Sequence, residues 1–308
     1  MIIMDGMNRR GFLGLTAATA AAGCCVGGNC CADGKGRILF GACRGPVDTA
    51  LMKKIGYDFF EWNVASAMQP DKSEADWGKR RDEVLGAALP IRSCNGFLPG
   101  TFRLTGPNAK WDEALDYAET ACRRADVLGV KTIVFGSGGA RNVPGDITAK
   151  KKEDRPDTEK GVEQYTEFCR ILCKRIADCK VAIVIEPLRP LESNIINYVW
   201  QGLQIIEDVG SPRLQQLADI FHMISGRESA CSIVKAGCRL KHCHIACKGT
   251  RQFPGHNDTE LFQPYFDALN KIGYTGGVSC ECGWGAKGEL EKYLVTALAT
   301  LKKLEAEA

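Results

Sequence analysis

Three carboxylates and one imidazole stand at or near the ends of four successive apolar segments in the second half of the chain. These residues are Glu186, Asp219, His244 and Glu281. Carboxylate oxygens and an imidazole nitrogen together suit Mn²⁺, Co²⁺, Mg²⁺ or Zn²⁺. If the segments are neighbouring strands of one sheet, their ends meet. The spacing therefore favours a divalent metal site formed by two or three of the carboxylates and the imidazole.

The segments belong to an alternation of short apolar runs and helical patterns that begins at Arg37. Eight runs resemble strands, at residues 38–42, 57–62, 90–94, 131–135, 181–186, 214–219, 239–246 and 277–282. Apolar residues between them recur with the 3.6-residue period of helices, as in residues 111–125, 261–269 and 290–301. Eight such units suit a (β/α)8 barrel of ~250 residues better than a doubly wound sheet. We predict an α/β fold, a single (β/α)8 TIM barrel over residues 36–308.

A barrel of this kind builds its active site at the carboxyl ends of its strands. Because side chains alternate along a strand, Ile185 faces away from Glu186, and Cys280 and Cys282 face away from Glu281. The acidic side chains can thus point inward. The polar segment 145–160 after the fourth strand is either a lid loop or a solvated connection. Glycine-rich residues 136–139 predict a tight turn that lets a substrate approach.

Residues 1–35 differ in character from the rest of the chain. Arg9 and Arg10 stand directly before an uncharged, alanine-rich stretch, which is typical of an export signal. They resemble a twin-arginine signal, which implies export of the folded protein to the periplasm or cell envelope. A lipid anchor at Cys24 is an alternative, although Ala21 stands where leucine is usual. No other stretch approaches the ~20 apolar residues of a membrane span.

The composition is that of an ordinary globular protein, with 308 residues of which 45% are hydrophobic and 25% charged. It excludes disorder, collagen and coiled coil. The 40 basic and 37 acidic residues leave a net charge of +3 without long basic runs, so nucleic acid is not a predicted partner. Most of the 16 cysteines are predicted to be reduced, because they stand within apolar segments without paired CxxC motifs.

The second half of the chain resembles a known family of barrels in the order and content of five motifs. The motifs are Ile185-Glu186-Pro187-Leu188 followed by Glu192, Asp219-Ile220-Phe221-His222-Met223, His242-Cys243-His244-Ile245-Ala246, Arg251 and Glu281. They resemble the xylose isomerase-like barrels of the sugar phosphate isomerase/epimerase superfamily, and within it the D-tagatose and D-psicose 3-epimerase branch. The resemblance spans roughly residues 36–304.

The resemblance implies a metal-dependent sugar isomerase or epimerase. Its divalent ion, most often Mn²⁺ or Co²⁺ in this branch, would be bound by Glu186, Asp219, His244 and Glu281. Glu186 and Glu281 would also be the catalytic pair, one removing a proton beside the sugar carbonyl and the other delivering it. The ion would stabilise the enediolate formed between these steps. Such enzymes act on small sugars and are often homodimers or homotetramers.

Three further residues look like substrate-binding groups of the branch. His222 and Arg251 would hold sugar oxygens, and Glu192 would orient a hydroxyl group. Each also has a structural interpretation: His222 as a core imidazole, Arg251 as a loop cation and Glu192 as an N-cap of the following helix. His242 shares the inward face with His244 but lies one layer deeper, which favours support of the site over metal binding.

The chain departs from the branch near the expected substrate. Arg189-Pro190 stands where Asn-Arg is usual, Ile224 replaces an asparagine, and Cys247 replaces an acidic residue. These changes imply a substrate pocket that differs from the standard one. Because the change at Arg189 leaves room for a bulkier glycoside, the main alternative is a metal-dependent lyase or deglycosidase acting on 3-oxo-glycosides, as in C-glycoside deglycosidases.

Two further hypotheses fit the residues less well. The superfamily includes trinuclear zinc endonucleases that act at abasic DNA sites, but they take additional histidine ligands from the first four strands. Here the histidines, all later in the chain, are His222, His242, His244 and His256. A non-catalytic sugar-binding barrel is disfavoured because the predicted metal ligands and His222 are all present, and it need not bind a metal ion.

Overall fold

The computed structural model of the protein describes residues 36–257, 259–286 and 288–308. Eight strands form one closed barrel in sequence order, and the neighbouring pairs are parallel. They are β1 (Leu39–Cys43), β2 (Phe59–Asn63), β3 (Ile91–Asn95), β4 (Thr132–Phe135), β5 (Ala182–Ile185), β6 (Leu214–Asp219), β7 (Leu240–Ile245) and β8 (Gly277–Cys280). The predicted (β/α)8 barrel is confirmed. Glu186 and Glu281 each follow directly after a strand.

Helices alternate with the strands along the chain. The α-helices of the described residues are α1 (Thr49–Ile55), α2 (Val64–Ala67), α3 (Glu74–Leu85), α4 (Asp112–Leu128), α5 (Gly138–Arg141), α6 (Thr158–Arg175), α7 (Val199–Val209), α8 (Ile220–Ser225), α9 (Cys231–Ala236), α10 (Gln263–Lys271) and α11 (Leu290–Glu307). Short 3-10 helices lie at Pro46–Asp48, Lys152–Asp154, Gly237–Arg239 and Thr259–Leu261.

Helix α4 shows how the local sequence builds the outer layer. Its residues Leu115, Ala118 and Cys122 are buried on one face, as their helical spacing predicts. The helix stops at Gly129, whose φ of 75° lies in the left-handed region that glycine adopts without strain. The pattern at residues 261–269 is less accurate, because Leu261 belongs to the preceding 3-10 helix and is 37% exposed.

The strand register sets the height of the site residues in the barrel. Asp219 pairs with His244 across β6 and β7, and His244 pairs with Ser279 across β7 and β8. The barrel closes where β1 pairs with β8, with Leu39 opposite Gly277. Residues at the carboxyl ends of β5 to β8 are therefore presented on one rim of the barrel.

The described cysteines form no disulfide, and eight of the twelve are buried. Burial without pairing agrees with the prediction that most of them are reduced core residues. The predicted export signal at residues 1–35 lies outside the described residues. Within the described part of the chain, no helix combines the length and apolar character that a membrane crossing requires.

Candidate active site

Four residues from the ends of β5 to β8 converge on one point. Ligand atoms of Glu186, Asp219, His244 and Glu281 all lie within 4.8 Å of one another. Three of these side chains are nearly removed from solvent, with 5% exposure at Glu186, 2% at Asp219 and 0% at His244. The structure thus brings together the four residues that the sequence places at successive strand ends.

The imidazole of His244 presents its two nitrogen atoms to different partners. Nδ1 lies 3.1 Å from Oε1 of Glu186 and 3.5 Å from Oε2 of Glu281. Nε2 lies 2.9 Å from Oε1 of Glu61, a buried residue of β2. Nδ1 is therefore the nitrogen that faces the other predicted ligands, whereas Nε2 contacts Glu61 on the opposite side of the ring.

The electrostatics of the centre reflect crowded, buried negative charge. Burial raises the pKa of Asp219 to about 6, although attraction to His244 opposes this rise. Burial and repulsion by Glu281 raise the pKa of Glu186. Burial also acts on Glu281, but attraction to His244 outweighs it and lowers the pKa to about 2. A cation placed among these carboxylates would relieve their repulsion.

The donor set and its surroundings fit a divalent cation. Three carboxylates and one imidazole nitrogen are the ligand types that Mn²⁺, Co²⁺, Mg²⁺ and Zn²⁺ accept. Gly136, directly after β4, leaves the space that Glu186 occupies. A Cβ atom at this position would lie 2.1 Å from Oε2 of Glu186. The close approach that this glycine permits is made by the carboxylate of Glu186, and the approach of a substrate at residues 136–139 stays a prediction.

His222, in α8, directs an unpartnered nitrogen into the centre. Its Nδ1 accepts a hydrogen bond from the backbone N–H of Arg189 at 3.4 Å, which places the ring proton on Nε2. Nε2 is buried, lies 3.4 Å from Oδ2 of Asp219 and has no hydrogen-bond partner among the described residues. Burial lowers the pKa of His222, so the ring is neutral near pH 7 and Nε2–H remains a donor.

Glu192 bridges two guanidinium groups at the rim of the site. Its Oε1 accepts from Nε of Arg189 at 2.7 Å and from Nη1 of Arg251 at 3.0 Å. Nη2 of Arg251 also donates to Oε2 of Glu281 at 3.2 Å. Both guanidinium groups lie over the ring of Phe221, 4.9 and 4.6 Å from its centre. The three predicted substrate-binding residues, His222, Arg251 and Glu192, thus adjoin the four predicted ligands.

The interpretation of Glu192 as an N-cap is wrong. The helix that follows is α7, and its N-cap is Tyr198. Glu192 instead lies in the connection after β5, where Arg189 and Arg251 hold its carboxylate. Glu192 lies in a turn of this connection, and its carboxylate accepts hydrogen bonds from guanidinium groups.

Residues 49–304 match the family described as the xylose isomerase-like TIM barrel. The chain belongs to this family. It is 27% identical over 238 residues to an L-ribulose 3-epimerase of Mesorhizobium japonicum, covering 75% of this chain and 73% of the relative. It is 25% identical over 204 residues to a probable ketose 3-epimerase of Synechocystis sp., covering 66% and 67%. Ketose 3-epimerases are isomerases.

Solved structures share the architecture of this xylose isomerase-like barrel. One, of an L-ribulose 3-epimerase, has a TM-score of 0.70 at 18% identity and covers 88% of this chain and 95% of its own. Another, of a D-allulose 3-epimerase from Methylomonas sp. with D-allulose, has a TM-score of 0.67 at 18% identity and covers 87% and 97%. At this identity the likeness establishes the fold.

Two residues from the first half of the xylose isomerase-like barrel contact the centre and were not predicted. Glu61 contacts His244, and Nδ2 of Asn95 donates to Oε1 of Glu281 at 2.8 Å. The sequence signal that could have identified Glu61 is its position as a lone glutamate inside the apolar run of β2. Asn95, at the end of β3, has no such signal in the local sequence. His242 contacts Glu61 rather than the ligands, in line with its predicted supporting role.

The remaining predicted features lie around the site. The departure at Arg189 belongs to the rim network, whereas Cys247 donates to backbone carbonyl oxygens of its own loop, including Asn257 at 2.6 Å. Ile224 is buried in α8.

The segment 145–160 contains internal hydrogen bonds, such as Asp146 N–H to the carbonyl of Asp154 at 2.8 Å. Its role as a lid stays a prediction.

Proposed function

We propose that the protein is a divalent-metal-dependent sugar isomerase or epimerase that acts on a ketose or an oxidised sugar. The observation that carries the proposal is the four-residue cluster at the rim of a barrel whose relatives are named ketose 3-epimerases. A proton is moved between two faces of a carbon beside a carbonyl group, so no redox cofactor is required.

The metal centre in this proposal is formed by Glu186, Asp219, His244 and Glu281. One ion, for which Mn²⁺ is favoured and Co²⁺, Mg²⁺ or Zn²⁺ are alternatives, supplies positive charge that stabilises an enediolate when bound. The chain supplies the orientation. Asn95 holds one oxygen of Glu281, and Arg251 holds the other at 3.2 Å.

Glu186 and Glu281 are the proposed proton-transfer pair. Their carboxyl groups come from different strands, and their pKa values are shifted in opposite directions, up at Glu186 and down at Glu281. A pair that must exchange one proton needs one group that holds it and one that accepts it. One carboxylate removes the proton from carbon and the other returns it on the opposite face, which inverts the centre.

Substrate oxygens are held by the rim residues in this proposal. His222 offers its Nε2–H, a buried donor that has no hydrogen-bond partner within the described part of the chain. Arg251 offers charged N–H donors, and Glu192 accepts from a sugar hydroxyl.

The protein is exported through its twin-arginine signal and meets its substrate outside the cytoplasm, with a lipid anchor at Cys24 as a variant of this proposal. A homodimer or homotetramer stays a prediction.

Solvent deuterium exchange tests the proposal. The Mn²⁺-loaded protein is incubated in D2O with ketohexoses and, separately, with 3-oxo-glucosides, and the sugars are followed by NMR. We expect deuterium beside the carbonyl group in wild type, and a rate lower by about 100-fold or more in Glu281→Gln. Glu291→Gln serves as the matched control, because this glutamate is exposed on α11.

The two substrates separate the enzymatic alternatives. Deuterium at C3 of a free ketose supports a ketose 3-epimerase. Elimination confined to the 3-oxo-glucoside, lost in Glu281→Gln, would assign the metal-dependent lyase instead. Absence of both bound metal and exchange would leave a non-catalytic sugar-binding barrel and overturn the proposal.

A further inference from the structure

Glu61 crosses the interior of the barrel to hold two histidines at once. Its side chain is 0% exposed. Oε1 lies 2.9 Å from Nε2 of His244, and Oε2 lies 2.8 Å from Nε2 of His242. Glu61 belongs to β2 and the histidines to β7, and these strands are not neighbours in the barrel. The contacts therefore pass through the barrel and are not cross-strand pairs.

A buried carboxylate in this position lowers the stability of the fold unless hydrogen-bond partners compensate its charge. Its chain neighbours in β2 are apolar, and burying an unpaired charge costs several kcal/mol. Both oxygens are instead satisfied by imidazole nitrogens. The carboxylate therefore accepts a hydrogen bond from each of the two rings.

The hydrogen bond at Nε2 decides which nitrogen of His244 is a ligand. A ring that donates Nε2–H to a carboxylate keeps its lone pair on Nδ1. Nδ1 is the atom that lies 3.1 Å from Oε1 of Glu186 and 3.5 Å from Oε2 of Glu281. A carboxylate behind a metal-binding histidine fixes the ring orientation and raises its basicity.

We infer that Glu61 is a positioning residue of the metal centre, which holds His244 with Nδ1 toward the ion and uses His242 to fix its own second oxygen. This inference rests on the proposed metal site. The hydrogen bonds recorded for the Glu61 side chain within the described residues go to these two histidines. Ser279 supports the arrangement, because its hydroxyl lies 3.2 Å from Nε2 of His242.

A competing role for Glu61 is as a ligand of a second ion. Cys43, Glu61 and His244 also offer ligand atoms within 4.8 Å of one another. Against this role, both oxygens of Glu61 already accept from imidazoles, and the thiol of Cys43 is an acceptor for Nδ2 of Asn95 at 3.7 Å. The two roles differ in stoichiometry, because a positioning residue leaves one ion per chain.

Metal titration of three variants tests the inference, with Mn²⁺ as the probe. Glu61→Gln removes the negative charge. Glu61→Asp keeps the charge, but its shorter side chain moves the carboxylate away from the two imidazole rings. We expect both variants to bind one Mn²⁺ per chain about 10- to 100-fold more weakly than wild type. Glu228→Gln is the matched control, because this carboxylate is also buried but accepts from the backbone of Val199.

A second measurement keeps the test independent of enzyme activity and of small losses of stability. In the Zn²⁺-loaded protein, nitrogen-15 NMR of the histidine rings should show His244 with its proton on Nε2. In Glu61→Asp this proton should exchange faster with solvent or move to the other nitrogen. Circular dichroism confirms that each variant is folded, and a variant that fails to fold is replaced by His242→Gln, which should weaken Mn²⁺ binding in the same direction.

Two results would overturn the inference. One is Mn²⁺ binding by Glu61→Asp within twofold of wild type, with an unchanged His244 spectrum. The other is two ions per chain in wild type, falling to one in Cys43→Ser. If wild type itself binds no Mn²⁺ and catalyses no exchange, the proposed function has failed as well. Normal binding and exchange by wild type and both Glu61 variants would overturn the positioning role alone.

Discussion

Asp219 and Glu281 lie beside the same imidazole, yet they predict opposite pH dependences for the stability of the metal-free protein. Asp219 has a pKa of about 6, above the ~3.9 of an unfolded aspartate, so its stabilising contribution is complete at low pH and is lost as the pH rises to about 6. Glu281 has a pKa of about 2, below the unfolded ~4.3, so its contribution is present above about pH 4 and is lost in stronger acid.

Asp219→Asn isolates the first of these effects. Asparagine can still cap α8, because it accepts backbone hydrogen bonds as aspartate does. We expect the metal-free variant to be more stable than wild type by about 1–3 kcal/mol at pH 7 and equal to it at pH 4. Urea unfolding at both pH values measures the difference. The exposed Asp208→Asn is the control, and an equal change at both pH values would contradict the prediction.

Gly136 predicts a steric test of the metal centre. In Gly136→Ala the new methyl group would meet Oε2 of Glu186, so the carboxylate must turn away. We expect Mn²⁺ affinity to fall at least about tenfold, since the orientation of a ligand is lost. Gly78→Ala is the control, because a Cβ there meets no atom within 4 Å. Calorimetric titration compares both variants, and equal affinities would show that Glu186 is not a ligand in this position.

The four predicted ligands could be recognised in the sequence because each stands at or near the end of an apolar run, and His242 because it shares the inward face with His244. The contacts of Glu61 and Asn95 could not be predicted. Glu61 is 181 residues from His242, and Asn95 is 186 residues from Glu281. No local period or spacing links partners so far apart. Such contacts depend on which side chains the closed barrel turns inward at the same height, and that follows from register rather than from composition.

Among the elements, α5 joins the ends of two strands through one buried side chain. Arg141 is 0% exposed. Its guanidinium donates to the backbone carbonyl oxygens of Phe135 at 3.2 Å, Glu186 at 2.9 Å and Ile196 at 3.3 Å. These bonds fix the connection that follows β5 and carries Glu186. Burial lowers the pKa of Arg141, but the arginine remains charged at pH 7.

Arg141→Met should therefore destabilise the fold strongly. Methionine matches the aliphatic part of the arginine side chain in length but donates no hydrogen bond. The carbonyl of Glu186 loses its donor, at about 1–3 kcal/mol, and the carbonyls of Phe135 and Ile196 each keep only a backbone N–H donor. We expect the free energy of unfolding to fall by at least about 2 kcal/mol. Denaturant unfolding measures it against Arg81→Met, which replaces a 41% exposed arginine of α3. Equal effects of the two substitutions would refute this role.

The strands were predictable as elements because parallel barrel strands are buried on both faces and read as continuous apolar runs. Long helices such as α4 and α11 were predictable from their period. The short α5 and α8, of four and six residues, were not, because they are too brief to display a period. Contacts with neighbouring loops, rather than an amphipathic pattern, determine where they form.

At the scale of the whole molecule, the paired arginines at positions 9 and 10 predict where the protein is found. Replacing Arg9 and Arg10 together by lysine should retain most of the protein in the cytoplasm, because a twin-arginine route requires the arginine pair. Cell fractionation and immunoblotting measure the distribution. The matched control replaces Arg80 and Arg81, another adjacent pair, on α3. Equal distribution of the two double variants would contradict a twin-arginine signal.

The two halves of the barrel contribute different things to the centre. All four proposed ligand residues come from the end of β5 onward, whereas Glu61, Asn95 and Gly136, which contact them or leave space for them, come from β2 to the end of β4. Neither half-barrel alone is then a complete binding site. If the chain were divided between β4 and β5 and the two fragments were expressed separately and mixed, metal binding would measure their reassembly. A hybrid of two relatives joined at this boundary would likewise combine the proposed ligands of one protein with the supporting side chains of the other.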